Sequence, residues 1–282
     1  MVELNYKVKH IKKHFSTRPG IKLLRLQALV DHWTANFGAT AQGHFKYFNE
    51  TLPDQNDRER IEAAHEGREE KIRYASAHIF VDKNEAIELV PLDEVCFHAN
   101  DRTLKLSSLR ATSKQYPGGN ANLLTIGVEM CVEKNGTIHP DTIERARLVI
   151  KMLQDKFSQL RDTRNRVVRH FDVTGKPCPL PFVEDQQKWN AFLHSIDQPV
   201  KGDVTIANQE ESKMNDEGEE TMKPSNDTIS NSVAVVLKRL ESKENGISAK
   251  WREDFLNGKL STSDAIGLIY VALDRALIQG EK

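Results

Sequence analysis

The stretch Arg169-His170-Phe171-Asp172-Val173-Thr174-Gly175-Lys176-Pro177-Cys178-Pro179 gathers an imidazole, an ammonium and a thiol on one short loop. Pro177 and Pro179 each fix φ, which stiffens the chain on both sides of the cysteine. Zinc binds imidazole nitrogen, thiolate and carboxylate, and a catalytic site uses three protein ligands with one position left open. His170 and Cys178 are eight residues apart, too far for a shared helical or strand face. As ligands they must bracket a loop that folds back on itself, and Thr174-Gly175 and Pro177 allow such a turn. A third ligand has to come from elsewhere, and His32, at the end of an early strand, is the choice. The spacing alone also fits a satisfied histidine and a buried thiol.

Working outward, Leu123 to Val132 is apolar apart from Thr125 and Glu129 and reads as a central strand buried on both faces. A carboxylate there is costly unless paired or functional. Burial raises its pKa toward the range of a neutral-pH acid or base; the alternative is an ion pair with an arginine. Lys176, two residues before Cys178, projects toward the same place and is suited to stabilising an oxyanion; otherwise it is a surface lysine. His98 opens a polar loop over Asp101–Asn120 and lines the cleft. His78 sits in a strand, where it either faces the cleft or is structural.

The order of elements predicts an α/β fold with a central mixed sheet flanked by helices. Residues 1–20 are polar and end in the turn Pro19-Gly20. Ile21 to Val30 predicts a strand entering a loop at Asp31-His32. Phe37 to Asn49 is helical, starting near Gly38-Ala39-Thr40, and Arg58 to Glu70 is an exposed, charged helix or loop. Ala75–Val81 and Glu85–Val90 are strands around an Asp82-Lys83-Asn84 turn. Pro140-Asp141 opens a helix with Ile143, Ala146, Ile150, Leu153, Phe157 and Leu160 at helical spacing. Arg166 to Arg169 is a short strand that delivers His170, and Glu184 to Ile196 is a closing helix.

Residues 1–197 form one domain on this reading. Residues 198–226 are an acidic linker, with seven acidic residues against two lysines between Lys201 and Met222. Residues 227–282 are a module of three helices, with stripes at Ile229, Val233, Val236, Leu237 and Leu240, then Trp251, Phe255 and Leu256, then Leu268 to Ala276, the last capped by Ser261 or Ser263. About 55 residues is marginal for an independent monomer, which makes self-association an expectation. The codons for Gly218-Glu219-Glu220 can be purine-rich and so mimic a ribosome-binding site. A free fragment starting at Met222, joining the full chain in an oligomer, is a reading the sequence permits.

Residues 201–282 hold 11 Lys/Arg against 15 Asp/Glu, and the first 200 hold 29 against 26. Neither part is basic enough for a nucleic-acid partner. Lys7, Lys9, Lys12 and Lys13 read as a solvated face. No apolar run approaches the roughly 20 residues that span a bilayer, so membrane insertion is not expected. Met1 to Phe15 lacks the apolar core of a secretory signal peptide. Cys96, Cys131 and Cys178 are too few and too irregular for a disulfide framework, and Cys96 and Cys131 read as core residues.

Five pieces occur in order: His32-Trp33-Thr34-Ala35-Asn36 with Gly38-Ala39-Thr40-Ala41, Ser76-Ala77-His78, Phe97-His98-Ala99, Ile126-Gly127-Val128-Glu129, and His170 to Pro179. Together they closely resemble the zinc-dependent N-acetylmuramoyl-L-alanine amidases of the type 2 family, over roughly residues 25–195. The resemblance implies Zn2+ held by His32, His170 and Cys178, with Glu129 as acid/base and Lys176 as transition-state stabiliser. It adds Asn36, His98 and His78 as substrate contacts. It implies hydrolysis of the amide between N-acetylmuramic acid and L-alanine in peptidoglycan by a zinc-hydroxide mechanism. The implied setting is a phage endolysin made in the host cytoplasm and reaching a Gram-positive wall after membrane permeabilisation, with the C-terminal module on a wall ligand. The alternatives are a peptidoglycan-binding protein without activity, and a bacterial autolysin or muropeptide amidase of the same fold. No role is assigned to residues 54–73.

Overall fold

Six strands, β1 (Tyr6–Val8), β2 (Ala28–Phe37), β3 (Ile79–Val81), β4 (Ala86–Glu88), β5 (Thr125–Val132) and β6 (Val167–Arg169), form one mixed sheet in the order β1-β4-β3-β5-β2-β6. Only β3 and β4 pair antiparallel; the other neighbours are parallel. This is a computed structural model, and it describes residues 2–100, 103–115, 120–199, 227–242, 247–261, 264, 265 and 268. The chain divides into two compact units, residues 1–209 and 210–282.

Helices cover both faces, as parallel strands require. After β2 the chain runs through α1 (Ala41–Lys46), a π-helical turn (Tyr47–Thr51) and α2 (Leu52–Glu66). Thr40 starts α1 by accepting the Gly43 N–H on its hydroxyl at 3.1 Å. After β5 comes α3 (Pro140–Lys156), with Pro140 in its first turn and the His139 side chain accepting the Asp141 N–H. Then follow α4 (Thr163–Arg166), α5 (His170–Thr174), α6 (Leu180–Glu184) and α7 (Gln186–Ile196).

Strand alternation sorts the core. Leu29 of β2, Ile79 and Val81 of β3, and Ile126, Val128 and Met130 of β5 pack on Ile150 and Leu153 of α3 and Trp189 and Phe192 of α7. On the opposite face, Phe80, Ile87 and Cys131 pack under Phe45, Phe48 and Leu52. Beside them Ala28, Val30 and Val168 pack under Val95, Leu109 and Leu123. Two clusters therefore share this second face, and His32 of β2 and Glu129 of β5 emerge there.

Several sequence expectations are corrected. The polar N-terminal segment contributes β1, because Leu4, Tyr6 and Ile11 are buried at the sheet edge while the intervening lysines face outward. Lysines on an edge strand also discourage pairing with another chain. The early strand starts at Ala28, not Ile21, and runs through Asp31 and His32 to Phe37. Partners on both sides, β5 and β6, satisfy its backbone, so polar residues do not end it. Its register with β5 shifts between Trp33 and Phe37, where Ala35 takes φ of +49°. Helix α3 stops at Lys156, and Leu160 lies on the separate 3-10 turn Ser158–Leu160.

In the second unit, α8 (Asp227–Glu241) and α9 (Ala249–Leu256) enclose Leu237, Leu240, Ile247, Phe255, Leu260 and Leu268. Val236 and Leu256, expected on the buried stripes, are exposed. Ser261 is the helix cap, accepting the Asp264 N–H at 3.0 Å. The expected linker from residue 200 onward, Met222, and the third helix beyond Leu268 lie outside the described residues. Among the described residues no helix is long and apolar enough to cross a membrane.

One buried side chain ties the edge of the sheet to its covering helix. Arg145 of α3 donates from Nε to the Glu3 carbonyl and from Nη1 to the Asp82 carbonyl, each at 2.9 Å. Arg145→Ala leaves both carbonyls without these donors. It is expected to lower unfolding free energy by about 1–3 kcal/mol in urea titration; a change within error would show that the bridge is not needed.

Candidate active site

His32 enters from β2 and Glu129 from β5, and the register sets them directly opposite one another. Both project to the second face, between the two clusters that cover it. His170 follows β6, the other neighbour of β2, as the first residue of α5. The loop after α5 is closed by its own hydrogen bonds. The Phe171 N–H donates to the Cys178 carbonyl at 2.9 Å, returning the cysteine toward His170. Arg169 pins the base of this loop by pairing with Asp172 and donating to the Phe182 carbonyl at 2.8 Å. Gly175 turns the chain with φ of +83°, and a Cβ there would collide with the Lys105 side chain.

The donor atoms of His32, His170 and Cys178 lie within 4.8 Å of one another, and all three residues are buried. Two imidazoles and a thiol at this separation fit a zinc ion with its fourth position open. Cys178 Sγ lies 3.7 Å from His32 Nδ1. Glu129 Oε1 is 4.0 Å from the same nitrogen, and its Oε2 has no hydrogen-bond partner. Burial pushes the Glu129 carboxyl up to about 8, although Lys176 pulls the other way. Among the described residues, Glu129 makes no ion pair with an arginine. Burial also raises the Cys178 thiol and lowers His32, the latter helped by His170, His98 and Lys176.

Proton positions follow from the partners behind His32. The Thr125 hydroxyl donates to the Ala121 carbonyl at 2.8 Å, so toward His98 Nε2, at 3.3 Å, it can only accept. His98 therefore carries its proton on Nε2 and accepts on Nδ1, 3.0 Å from His32 Nε2. His32 in turn is protonated on Nε2, which leaves the Nδ1 lone pair directed at the cluster. A Cβ on Gly127 would lie 2.8 Å from His98 Nδ1, so this imidazole occupies space that only glycine leaves open.

Lys176, Asn36 and His98 all line the cleft over the cluster, a cavity of about 720 Å³ whose walls also include Tyr47, Phe97 and Arg73. His98 does so while holding His32. His78 is corrected: it is fully buried, donates from Nε2 to the Glu94 carbonyl and accepts the Gly127 N–H on Nδ1. With both nitrogens committed to backbone, it supports β5 and is out of reach of substrate. The sequence reading missed Asp31, which is 1 % exposed on the opposite sheet face from His32. Neither of its carboxyl oxygens has a hydrogen-bond partner, and burial, with Glu129 adding to it, raises its pKa well above the usual range. The signal was an acid following Ala28-Leu29-Val30, masked by ending the strand at Val30 when it runs on to Phe37.

A buried cluster of two imidazoles and a thiol that could hold a metal ion, beside a carboxyl raised toward neutrality and open to a cleft, is a hydrolase type of site. A family model described as N-acetylmuramoyl-L-alanine amidase matches residues 23–181, more than half of the chain and all of the cluster. The chain belongs to this family. The N-acetylmuramoyl-L-alanine amidase BlyA of Bacillus subtilis (strain 168) is 41 % identical over 189 residues, 66 % of this chain and 45 % of the relative. CwlL of Bacillus licheniformis, described in the same words, is 34 % identical over 197 residues, 70 % of this chain and 48 % of the relative. The chain thus spans just under half the length of these curated relatives. Among solved structures, the catalytic domain of XlyA is similar at 26 % identity and a TM-score of 0.48, over 68 % of this chain and 99 % of that one. PlyL is similar at 19 % identity and a TM-score of 0.49, over 68 % of this chain and 97 % of that one.

The cleft wall carries its own pH signature. His44, stacked on Phe80 at 4.8 Å, is lowered to about 4 by burial, with Asp82 opposing. Its folded form refuses a proton that its unfolded form accepts below about pH 6.5, so its contribution is complete above that pH and is lost as pH falls toward 4. Between pH 7.5 and 5 the wild type is expected to lose roughly 2 kcal/mol more stability than His44→Phe. Urea unfolding with chelator present throughout measures this, and equal losses would contradict it.

Proposed function

We propose that the protein is a zinc-dependent peptidoglycan amidase that hydrolyses the bond between N-acetylmuramic acid and L-alanine. The observation that carries this reading is the convergence of His32, His170 and Cys178 with Glu129 4.0 Å from His32, all inside the family match. Zinc, when bound, supplies a Lewis acid that lowers the pKa of water and polarises a carbonyl. His32 offers Nδ1 because His98 holds its other nitrogen. Glu129 has a pKa suited to taking a proton from the attacking water and returning it to the departing amine. Lys176, on the same cleft, faces the negative charge that develops on the carbonyl oxygen. Water is added across the amide, giving a carboxylic acid on the sugar side and the free amine of L-alanine.

The substrate of this reading is the wall of a Gram-positive host, and the setting is a phage endolysin that gains access once the membrane is permeabilised. The second unit, with its own core, is the proposed wall-binding part, able to self-associate and to include a fragment from Met222. Expressing the chain in a Gram-positive host with and without a membrane-permeabilising agent tests the setting: lysis only with the agent supports it, and no lysis in either case removes it.

Two predictions test the chemistry. Glu129→Ala is expected to keep its zinc while turbidity loss of purified walls, and release of amino-terminal L-alanine, fall by roughly 10²–10⁴-fold. Loss of zinc along with activity, or undiminished activity, would sink the assignment. His98→Ala is expected to weaken zinc affinity about 10–100-fold in competition with a coloured chelator; unchanged affinity would remove its role in orienting His32.

A further inference from the structure

Strand β2 runs on past the cluster. Regular alternation would show the cleft every second residue, yet Trp33, Thr34, Ala35 and Asn36 line it consecutively. The cause is the register shift with β5 between Trp33 and Phe37, where Ala35 takes φ of +49°. An alanine in this left-handed region is uncommon, and backbone of this kind gathers at binding sites. Beyond it, Gly38, Ala39 and Thr40 line a separate cavity of about 620 Å³. Every residue from Trp33 to Thr40 except Phe37 therefore lines one cavity or the other.

Phe37 stands between the two in sequence. It is 60 % exposed, and no described aromatic side chain is more so. Its ring lies against Gly136, where an added Cβ would sit 3.5 Å from the ring's Cζ. Asn135 and Thr137, on either side of that glycine, line the second cavity. The backbone beneath is fixed: the Gly38 N–H donates to the Val132 carbonyl at 2.8 Å, and the Ala39 N–H to the Asn36 carbonyl at 3.2 Å. An exposed phenyl ring on a pinned backbone is a preformed apolar surface that loses little freedom on binding.

The second cavity suits a ligand without net charge. Its lysines, Lys83 and Lys134, are matched by Asp82 and Glu133. Lys83 pairs with Glu133 at 3.0 Å, and the Asp82 carboxyl is committed to the Ala41, Asn84 and Glu85 N–H groups. Amides and hydroxyls, among them Asn84 and Thr137, supply the rest of the polar lining.

We propose that Phe37 and this cavity bind a sugar of the glycan strand, next to the muramyl residue whose amide is cut. The inference rests on the amidase reading above. Peptidoglycan offers a charged peptide and a glycan. Where the peptides are still attached, the lactyl carboxyl is tied up in the amide, and the sugars are neutral. A sugar ring has C–H groups on its faces, which pack on an aromatic ring, and hydroxyl and acetamido groups at its rim, which require hydrogen-bond partners. Phe37 meets the first requirement and the cavity the second. Asn36 on the cleft and Gly38 on the cavity are two residues apart, a span of at most about 7 Å, so one strand laid across the end of β2 reaches both.

The test is steady-state kinetics of the full-length zinc-loaded protein on soluble fragments that share one stem peptide and differ in glycan length, from a single muramyl residue to a strand of several disaccharides. Wild type is expected to show a kcat/KM per amide roughly 3- to 10-fold higher on the strands than on the single muramyl peptide, the size of one aromatic contact. Phe37→Ala is expected to erase that gain through KM, with the single muramyl peptide cleaved as before and zinc content unchanged. Phe37→Trp is expected to keep the gain, and losing it there would remove the aromatic surface from the account. A length preference set by the second unit would survive in Phe37→Ala. If it survives, if wild type shows no gain, or if Phe37→Ala loses activity equally on every fragment, the subsite is wrong and the amidase reading stands. If wild type frees the amino group of L-alanine from no fragment, the amidase reading falls and takes the subsite with it.

Discussion

The parallel pairing of β2 with β5, in the register that sets His32 opposite Glu129, is the constraint on which the site depends. A slip of one residue would turn His32 and Glu129 toward Ile150 and Trp189, and Leu29 and Val128 toward the cleft. The apolar residues on the α3 and α7 side resist that slip, so the hydrophobic core fixes the catalytic geometry without touching it. The sheet then recruits its third member cheaply. Strand β6 is only three residues long, but it is hydrogen-bonded to β2, and so it delivers His170 within reach of His32.

How much of this was legible depends on whether a residue's role is local or conferred by a distant partner. The His170 to Cys178 loop announced itself, since its chemistry and its proline stiffeners are contiguous. Glu129 was legible because an acid inside an apolar strand is conspicuous. The role of His78 was not, because the commitment of both its nitrogens depends on the Glu94 carbonyl and the Gly127 N–H, which are brought to it only by folding. His98 was placed correctly at the cleft, but its grip on His32 spans 66 residues of sequence and leaves no pattern. Strand β1 was missed for a related reason: its burial is set by β4 beside it, while its own composition is that of a lysine-rich surface.

The same logic applies to α2. About half of its 15 residues are charged, and nothing periodic marks Asn56 as the one polar side chain that turns inward. Its role becomes visible only when the backbone of Arg73, 17 residues later, returns to meet it. Surface pairs such as Glu59 with Arg68 contribute little to stability individually, yet they neutralise charges around α2, while Arg73 and Lys176 face the cleft.

Burial drives four groups of the site toward their neutral forms: Glu129 and Cys178 are raised, while His32 and His98 are lowered. Neutral imidazoles are the form that ligates, so for the histidines burial and metal binding agree. For the thiol they conflict, because ligation requires the thiolate and burial opposes it. A dication resolves the conflict, since its charge favours thiolate and carboxylate alike. On the proposed zinc reading, binding would release the Cys178 proton, and affinity would rise with pH through the cysteine, while His32, its pKa lowered, would not oppose binding above neutrality. On that reading, the low polarity that raises Glu129 toward the range of a proton carrier would be the same property that selects a cation strong enough to ionise a buried thiol.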